Sequence, residues 1–408
     1  MLILALTVCK IFTLRKKIPD TFVYSLTYDQ TLRTSTPKEL QNFISEVRFK
    51  PYFEAKNVIW EVRSFRMQRL FAKNFVYDIT LYLYFYCLNW SDTLRILRYM
   101  YEKSGKMQKL GNCDFREMKR YSLEREVWRL IEKQHQGSLT ILTTQSQLKS
   151  LPEPFVDRTL SKVSRGMLWY SANSTPILNK FDISKGQSDF TLFTDDSLDF
   201  HLVWNLNQVE YLHRLGIRKA YAIGSLVFQP QVKSSILDEI DRTFKILIFD
   251  VTPIVTLEAV NLYSTSFVKR NIQHIVNVCT SVADENNMRI EIQLKQKRRV
   301  RKAFHSPEYI QFLDSMKRQK KLKLVSWSAN LYKLIDDASL VFGVPYTSPV
   351  QMAFEMGVPA CYSGLEADEW LLEDIHEGVP VIKDYENLME FVRVSMLTGG
   401  ASSKSLSS

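Results

Sequence analysis

SLVFGVPYTSPVQMAFEMGVPACYSG, residues 339–364, reads in one pass as strand, turn, helix and second strand. Leu340, Val341, Phe342 and Val344 make a short apolar run of the kind that is buried on both faces of a parallel sheet. Ser348 then takes the N-cap position of a helix, with Pro349 at its first helical residue. Gly357 ends that helix and Pro359 opens the next strand. Two hydroxyls, Thr347 and Ser348, therefore stand at a helix start, where free backbone N–H groups and the positive end of the dipole attract an anion. The plainer reading is that they cap the helix and do nothing else. The residues alone leave the two readings level.

Working outward, the same alternation recurs from about residue 139. Short apolar runs (SLTILTT, GMLWYS, TLFTDD, HLVWN, KAYAIG, KILIFDVT, RIEIQLK, KLKLVSW) are separated by helix-like stretches at 207–215, 267–285, 329–337 and 349–356. Strands alternating with helices predict an α/β fold with a mainly parallel sheet. The pattern is cleanest over 218–383, the size of one Rossmann-like domain, with the weak boundary at Gly216. The expected organisation is an N-terminal domain, 1–217, and a Rossmann-like domain, 218–395, followed by a small polar tail, 396–408, expected to be disordered.

In open α/β sheets ligands bind beyond the C-terminal ends of the strands, so other strand ends are candidates too. KILIFDVTP, residues 245–253, ends in Asp250, Val251 and Thr252, a carboxylate and a hydroxyl able to meet sugar or ribose hydroxyls. An Asx-type turn explains the same residues. Gly224 and Ser225 follow the run AYAI, where glycine permits close approach to a ligand, though a tight turn is equally good. RIEIQLKQKRRVRK places Arg289, Glu291, Gln293, Lys295 and Lys297 on one face of a strand, with Ile290, Ile292 and Leu294 on the other. Lys295, Lys297 and Arg298 emerge where that strand ends, in position for a phosphate. A solvated charge run accounts for most of the cations beyond them.

Composition sharpens what those cations mean. The 408-residue chain carries a net charge of +10, with 45% hydrophobic and 12% aromatic residues, which excludes global disorder. Residues 297–323 hold ten Lys or Arg against two acids, so nearly all of the excess sits in one segment. Five cysteines (Cys9, Cys87, Cys113, Cys279, Cys361) with no C-x-x-C read as reduced thiols of a cytoplasmic protein. Six histidines form no H-x-x-x-H or H-x-H pair, so no metal site is expected. P-loop, dinucleotide and nucleophile-elbow fingerprints are absent, as is an Asp-x-Asp for a metal-bound diphosphate.

The first 135 residues are aromatic-rich and mostly helix-like. Thr36, Pro37 and Glu39 make a capping box, and 115–134 is an amphipathic helix. Residues 75–90 are too short to span a bilayer and read as core. Residues 1–9 read as a buried first strand, with a short membrane-contacting segment as the alternative.

VPYTSPVQMAFEMGVPACYSG resembles the signature of the PFTS-motif polysaccharide (surface carbohydrate) biosynthesis proteins. There a Pro-Phe-Thr-Ser turn starts a helix that ends at Glu-x-Gly-x-Pro. Here Pro345-Tyr346-Thr347-Ser348 has Tyr for Phe, and Glu355, Gly357 and Pro359 fit. ILIFDVTP, LKQKR, MLWYSANSTPI (167–177) and DFHLVWNLNQVEYL (199–212) are similar to other blocks of that family, in the same order, so the resemblance spans about 140–365.

The resemblance implies a GT-B-type glycosyltransferase of O-antigen or capsule type, an α/β protein of two Rossmann-like domains, the N-terminal one for the acceptor and the C-terminal one for the nucleotide sugar. It is also similar to sialyl- and Kdo-transferases, whose Ser/Thr turn holds donor phosphate without a metal, which puts a cytidine-monophosphate sugar among the donors to test, the nucleotide itself being left open. Their His-Pro pair has no counterpart after Leu294-Lys295. On this footing Tyr346, Thr347, Ser348, Lys295, Lys297 and Arg298 hold phosphate, and Gly224, Ser225, Asp250 and Thr252 line the nucleotide cleft. Asp195, Asp196 and His201 are the candidates for the base, and Tyr170 and Asn173 for acceptor contacts.

The expected partners are a nucleotide sugar and a glycan or lipid-linked glycan, with peripheral contact to an anionic membrane at the cytoplasmic face. The competing reading is a nucleic-acid or polyanion binder using 297–323, with Phe304, Tyr309 and Phe312 stacking on bases. No known nucleic-acid module is visible, and that partner is not expected.

Overall fold

Every strand pairing among the described residues is parallel, and the strands fall into two sheets. The computed structural model describes residues 16–25, 58–62, 75–76, 79–107, 114–143, 151–169, 198–214, 216–224, 243–253, 264–297, 304–327, 329–344, 347–365 and 378–398. The first sheet holds β1 (Thr21–Ser25), β2 (Val58–Val62), β3 (Phe75–Val76), β4 (Leu139–Thr143), β5 (Val163–Leu168), β6 (Phe200–Val203) and β7 (Ala220–Ala222). Its order is β3-β2-β1-β4-β5-β6-β7. The second holds β8 (Phe244–Asp250), β9 (Ile290–Gln296), β10 (Lys323–Val325), β11 (Leu340–Val344), β12 (Ala360–Ser363) and β13 (Val381–Ile382), in the order β10-β9-β8-β11-β12-β13. Each sheet thus runs outward from a central pair in both directions, the strand order of a Rossmann-like, doubly wound unit. This is the two-sheet α/β architecture expected from the sequence.

Helices connect and cover the strands. In the first half these are α1 (Ile79–Tyr82), which runs on as a π-helical turn (Leu83–Cys87), α2 (Trp90–Met107), α3 (Asp114–Gln134), α4 (Glu153–Val156) and α5 (Leu206–Arg214). The second half has α6 (Thr265–Glu285), α7 (Pro307–Arg318), α8 (Leu331–Asp336), α9 (Ser348–Glu355) and α10 (Tyr385–Leu397). The 21-residue α6 packs against both α7 and α10. Ile79, Leu83, Tyr84, Cys87 and Leu88 are buried, so the middle of the aromatic stretch at 75–90 is core, while Trp90 at its end is exposed. Among the described residues no helix is long and apolar enough to cross a membrane.

Two features differ from the sequence reading. The first 135 residues contribute three strands to the first sheet, where mostly helix was expected. Strand β7, expected to open the second domain, pairs with β6 instead, Leu202 opposite Tyr221. The change of sheet therefore falls between Ala222 and Phe244. The capping box at Thr36 and residues 1–9 lie outside the described residues.

The burial pattern explains why β8 and β11 sit centrally. Ile246, Leu247, Ile248 and Phe249 of β8 and Leu340, Val341 and Phe342 of β11 are all at most 3% exposed. Strands covered on both faces need such continuous apolar runs. Cys279 and Cys361 are free thiols inside this core, and burial pushes both well up in pKa, which keeps them unreactive.

In the first sheet Gly166 on β5 is required sterically. A Cβ there would lie 2.4 Å from Cε2 and Cζ of Phe200 and 2.7 Å from Cδ2 of Leu142. Gly166→Ala should therefore destabilise the protein by about 1–3 kcal/mol through overpacking. A thermal melt checks this, and an unchanged Tm would show that β5 and β6 separate more easily than their packing indicates.

Candidate functional site

The reversal of strand order in the second sheet lies between β8 and β11. Val344, the last residue of β11, pairs with Asp250, the last of β8. The DVT and YTS segments, 94 or more residues apart in sequence, therefore leave neighbouring strands at the same edge. Strands diverging to either flank open a crevice at such a point.

At the β8 end, Asp250 Oδ1 accepts hydrogen bonds from the Thr252 backbone N–H (3.1 Å) and the Thr252 hydroxyl (2.9 Å). This is the Asx-type turn. Asp250 Oδ2, however, is buried without a hydrogen-bond partner. Thr252 adopts φ 51°, a left-handed conformation that costs energy for a β-branched residue. Its hydroxyl oxygen also accepts from the Lys297 backbone N–H at 2.9 Å, which ties the ends of β8 and β9 together. The strain is held by bonds on both sides.

Lys295 lies opposite Phe249 on β9 and is 4% exposed, although the alternation of β9 puts it on the same face as half-exposed Glu291 and Gln293. Its ammonium donates to the Trp327 carbonyl at 3.0 Å. Burial lowers its pKa to about 8, with the Asp250 carboxylate opposing. Burial likewise raises the Asp250 carboxyl to about 7, against the Thr252 bonds, the Lys297 N–H and Lys295. Both groups thus hold their charge only weakly near neutrality. Lys297 itself is exposed, its side chain at the rim.

At the β11 end, Thr347 is the N-cap of α9 with φ −138° and ψ 133°. The helix begins at Ser348, one residue earlier than the sequence suggested, so Pro349 is its second residue. The Thr347 hydroxyl makes no capping bond; it is buried and has no partner. Capping thus leaves the Thr347 side chain unexplained. Tyr362 on β12, 1% exposed, donates its hydroxyl to the Thr347 carbonyl at 3.3 Å and fixes the turn from below. Asn271 of α6 fixes the next strand end. Its Oδ1 accepts from the Ser363 hydroxyl (2.9 Å) and the Leu365 N–H (3.0 Å), and its Nδ2 donates to the Leu365 carbonyl (3.2 Å).

Two of the residues nominated from sequence lie in the first sheet. His201 on β6 is 1% exposed, and its Nδ1 accepts from Trp169 Nε1 at 3.2 Å. It is a packed core histidine that holds an indole, not a cleft residue. Gly224 follows β7 with φ 84°, its N–H bonded to the Trp204 carbonyl. It belongs to the first sheet's edge and not to the β8–β11 junction. Close by, Asn205 accepts from the Gln208 N–H (2.9 Å) while Gln208 Oε1 accepts from the Trp204 N–H (2.8 Å), a capping arrangement that starts α5. Tyr170, Asn173, Asp195, Asp196, Ser225, Arg298 and Tyr346 lie outside the described residues.

The family model for the polysaccharide biosynthesis PFTS motif protein matches residues 123–392, from within α3 to within α10. The chain belongs to the PFTS-motif polysaccharide biosynthesis family. None of the curated protein sequences matches it significantly. Among solved structures it is similar to an Anabaena protein, Alr3699/HepE, in complex with UDP and glucose, at 10% identity and TM-score 0.47, covering 94% of this chain and 92% of the other. It is also similar to Methanocaldococcus jannaschii UDP-GlcNAc 2-epimerase, at 13% identity and TM-score 0.42, covering 94% and 93%. A third is an S. aureus TarM mutant, at 11% identity and TM-score 0.40, covering 68% of this chain and 53% of that one. The chain spans about half the length of that last structure. Likeness at these levels carries no argument about chemistry.

Thr347 and Ser348 of the PFTS turn thus open α9, shortly after β11, whose last residue pairs with the last residue of β8. Sequence reasoning found both ends separately. It missed Tyr362, Asn271 and Gln351, which support or line the turn, because a polar residue amid apolar neighbours gives no periodic signal.

The junction's charge balance yields a pH prediction. A carboxyl raised from 3.8 to about 7 gives its full stability below the unfolded pKa and loses it as pH rises through 7. Lys295, lowered from 10.5 to about 8, acts in the opposite sense and at higher pH, above about 8. Asp250→Asn keeps an acceptor for Thr252 and removes the charge. It should melt higher than the parent protein at pH 7.5, by a gain of about 2–4 kcal/mol, with the difference narrowing as pH falls and vanishing only below the unfolded carboxyl pKa of 3.8. Parallel Tm-against-pH curves for the two proteins would contradict a carboxyl raised by burial at Asp250.

Proposed function

We propose that this PFTS-motif protein is a glycosyltransferase that moves a sugar from a nucleotide donor to a surface-polysaccharide acceptor. The observation that carries the reading is the β8–β11 junction, where a buried, unpaired Thr347 hydroxyl stands at a helix start three residues beyond Val344, the strand partner of Asp250. In transfer, the acceptor oxygen bonds to the anomeric carbon as the carbon–oxygen bond to phosphate breaks. The acceptor proton goes to a base, and the nucleotide leaves with the electron pair. Leaving-group stabilisation falls to Thr347, Ser348, the α9 N-terminus, Lys295 and Lys297, with Tyr346 and Arg298 beside them in sequence. No metal is assigned, and activity should survive chelation with EDTA.

The half that ends at β7 is assigned to the acceptor and the half from β8 to the donor. With His201 packed in the core, the base is assigned to Asp195 or Asp196, and acceptor contacts to Tyr170 and Asn173. Gly224, just after β7, would meet the donor only from across the cleft, with Ser225 next to it in sequence. The donor class we favour is a cytidine-monophosphate sugar, and the acceptor an O-antigen or capsule glycan, free or lipid-linked, at the cytoplasmic face of an anionic membrane.

The polyanion reading is weakened by the aromatic residues it needs. Tyr309 is fully buried and Phe312 packs against the core, leaving only Phe304, 56% exposed, of the three available for stacking. Filter binding of single-stranded nucleic acid at two salt concentrations separates the readings, since phosphate contacts by these cations would give a steep salt dependence.

A melting panel of cytidine, uridine and guanosine nucleotides and their sugars tests the proposal. A ligand at a hundredfold excess over its Kd adds about 2.7 kcal/mol to stability. Thr347→Ala with Ser348→Ala should weaken the selected nucleotide roughly tenfold to hundredfold. Binding and transfer unaltered by that double substitution would remove the phosphate role from the turn.

A further inference from the structure

Three buried polar atoms at the junction of β8, β11 and α9 have no hydrogen-bond partner: Asp250 Oδ2, Thr347 Oγ1 and Gln351 Oε1. Their residues are 1%, 3% and 4% exposed. A dry, unpaired polar atom costs stability, so proteins keep few of them. Packing alone gives no reason to gather three at one strand–helix junction. Asp250 pairs with Val344 in register, Thr347 follows Val344 by three residues, and Gln351 lies one helical turn beyond Thr347 on the same side of α9.

Their chemistry is uneven. Asp250 Oδ2, when ionised, and Gln351 Oε1 are acceptors only, while the Thr347 hydroxyl both donates and accepts. The Gln351 amide is oriented by its other end, where Nε2 donates to Glu355 Oε1 at 3.5 Å. Turning the amide over would set two oxygens against each other. A phosphate, itself all acceptors, suits Thr347 but is mismatched to the other two atoms. Ligand O–H groups match all three. In a nucleotide sugar, such groups are densest on the pentose and on the transferred sugar.

We propose that Gln351 is a ligand-binding residue which, with Asp250, accepts hydrogen bonds from ring hydroxyls of the donor, Thr347 lying between this polyol patch and the phosphate. The proposal rests on the transferase reading and adds to it a residue and a chemistry: the inner wall of the junction reads hydroxyls, and the helix end reads charge. A site built to hydrogen-bond a hydroxyl rejects the analogue that lacks it, because its own buried groups are then left unpaired.

Gln351→Met keeps length and bulk and removes the acceptor. Calorimetric titration of the parent protein and Gln351→Met would use uridine and cytidine 5′-monophosphates, their 2′,3′-dideoxy forms, and a UDP- and a CMP-linked sugar. We expect Gln351→Met to bind the hydroxylated ligand at least fivefold more weakly, to bind its dideoxy form as the parent does, and to melt no lower when ligand-free. Loss with the free ribonucleotide assigns the pentose, and loss only with the nucleotide sugar assigns the transferred sugar; either supports the proposal. Gln351→Glu, which retains acceptor oxygens, should keep the preference for the hydroxylated ligand. Equal binding of every ligand by the parent and Gln351→Met overturns this proposal alone. So does a lower Tm with equal losses for hydroxylated and dideoxy ligands, which marks a merely structural glutamine. If no nucleotide or nucleotide sugar binds the parent protein, the transferase reading falls and this proposal with it.

Discussion

The parallel pairing of β8 with β11, Asp250 opposite Val344, is the constraint on which the rest of the site depends. From β8 the chain goes on to β9 on one flank of the sheet, and from β11 to β12 on the other. Two loops that must diverge leave a crevice between them, floored by strand ends and walled by a helix start. The strands can occupy the centre only because their apolar runs tolerate cover on both faces. Core composition therefore dictates where the crevice forms, before any polar residue is considered.

What the sequence made legible follows from this division. Long apolar runs with polar ends announce themselves, so β8, β9 and β11 and the motifs after them could be read singly. Their adjacency could not, since it is a property of strand order, and 94 residues separate Asp250 from Val344. Short or weakly patterned strands were the ones lost. The two-residue β3 and β13 carry too few side chains for periodicity, and β7, three residues with Tyr221 40% exposed, gave no sign of which sheet it joins. The start of α9 was legible to within one residue, because either Thr347 or Ser348 satisfies the N-cap preference and only the backbone chooses.

The junction is also where departures from local rules gather. Thr252 sits at a positive φ, two charged residues are nearly fully buried, and hydroxyl, amide and carboxyl oxygens lack partners. Each departure costs stability, and each is held by neighbours that serve no other evident end: Lys297 N–H on Thr252, Tyr362 on the Thr347 carbonyl, Asn271 on the end of β12. Strain that is over-determined by its surroundings is the pattern of a preorganised binding site and not of poor packing.

Charge gives the same answer by a different route. The excess of cations in 297–323 suggested a polyanion, yet Lys317, Arg318, Lys320, Lys321 and Lys323 are all exposed, two of them in the last turn of α7, where they complement its dipole. The cation best placed for chemistry is Lys295, just outside that segment, buried and lowered towards neutrality beside a carboxyl raised towards it. An arriving phosphate would favour a charged Lys295 and a protonated Asp250, so anion binding and proton uptake should reinforce each other here. A count of charges along the chain weights each residue equally. Burial does not, and one dry lysine at a strand end outweighs the exposed ones around α7.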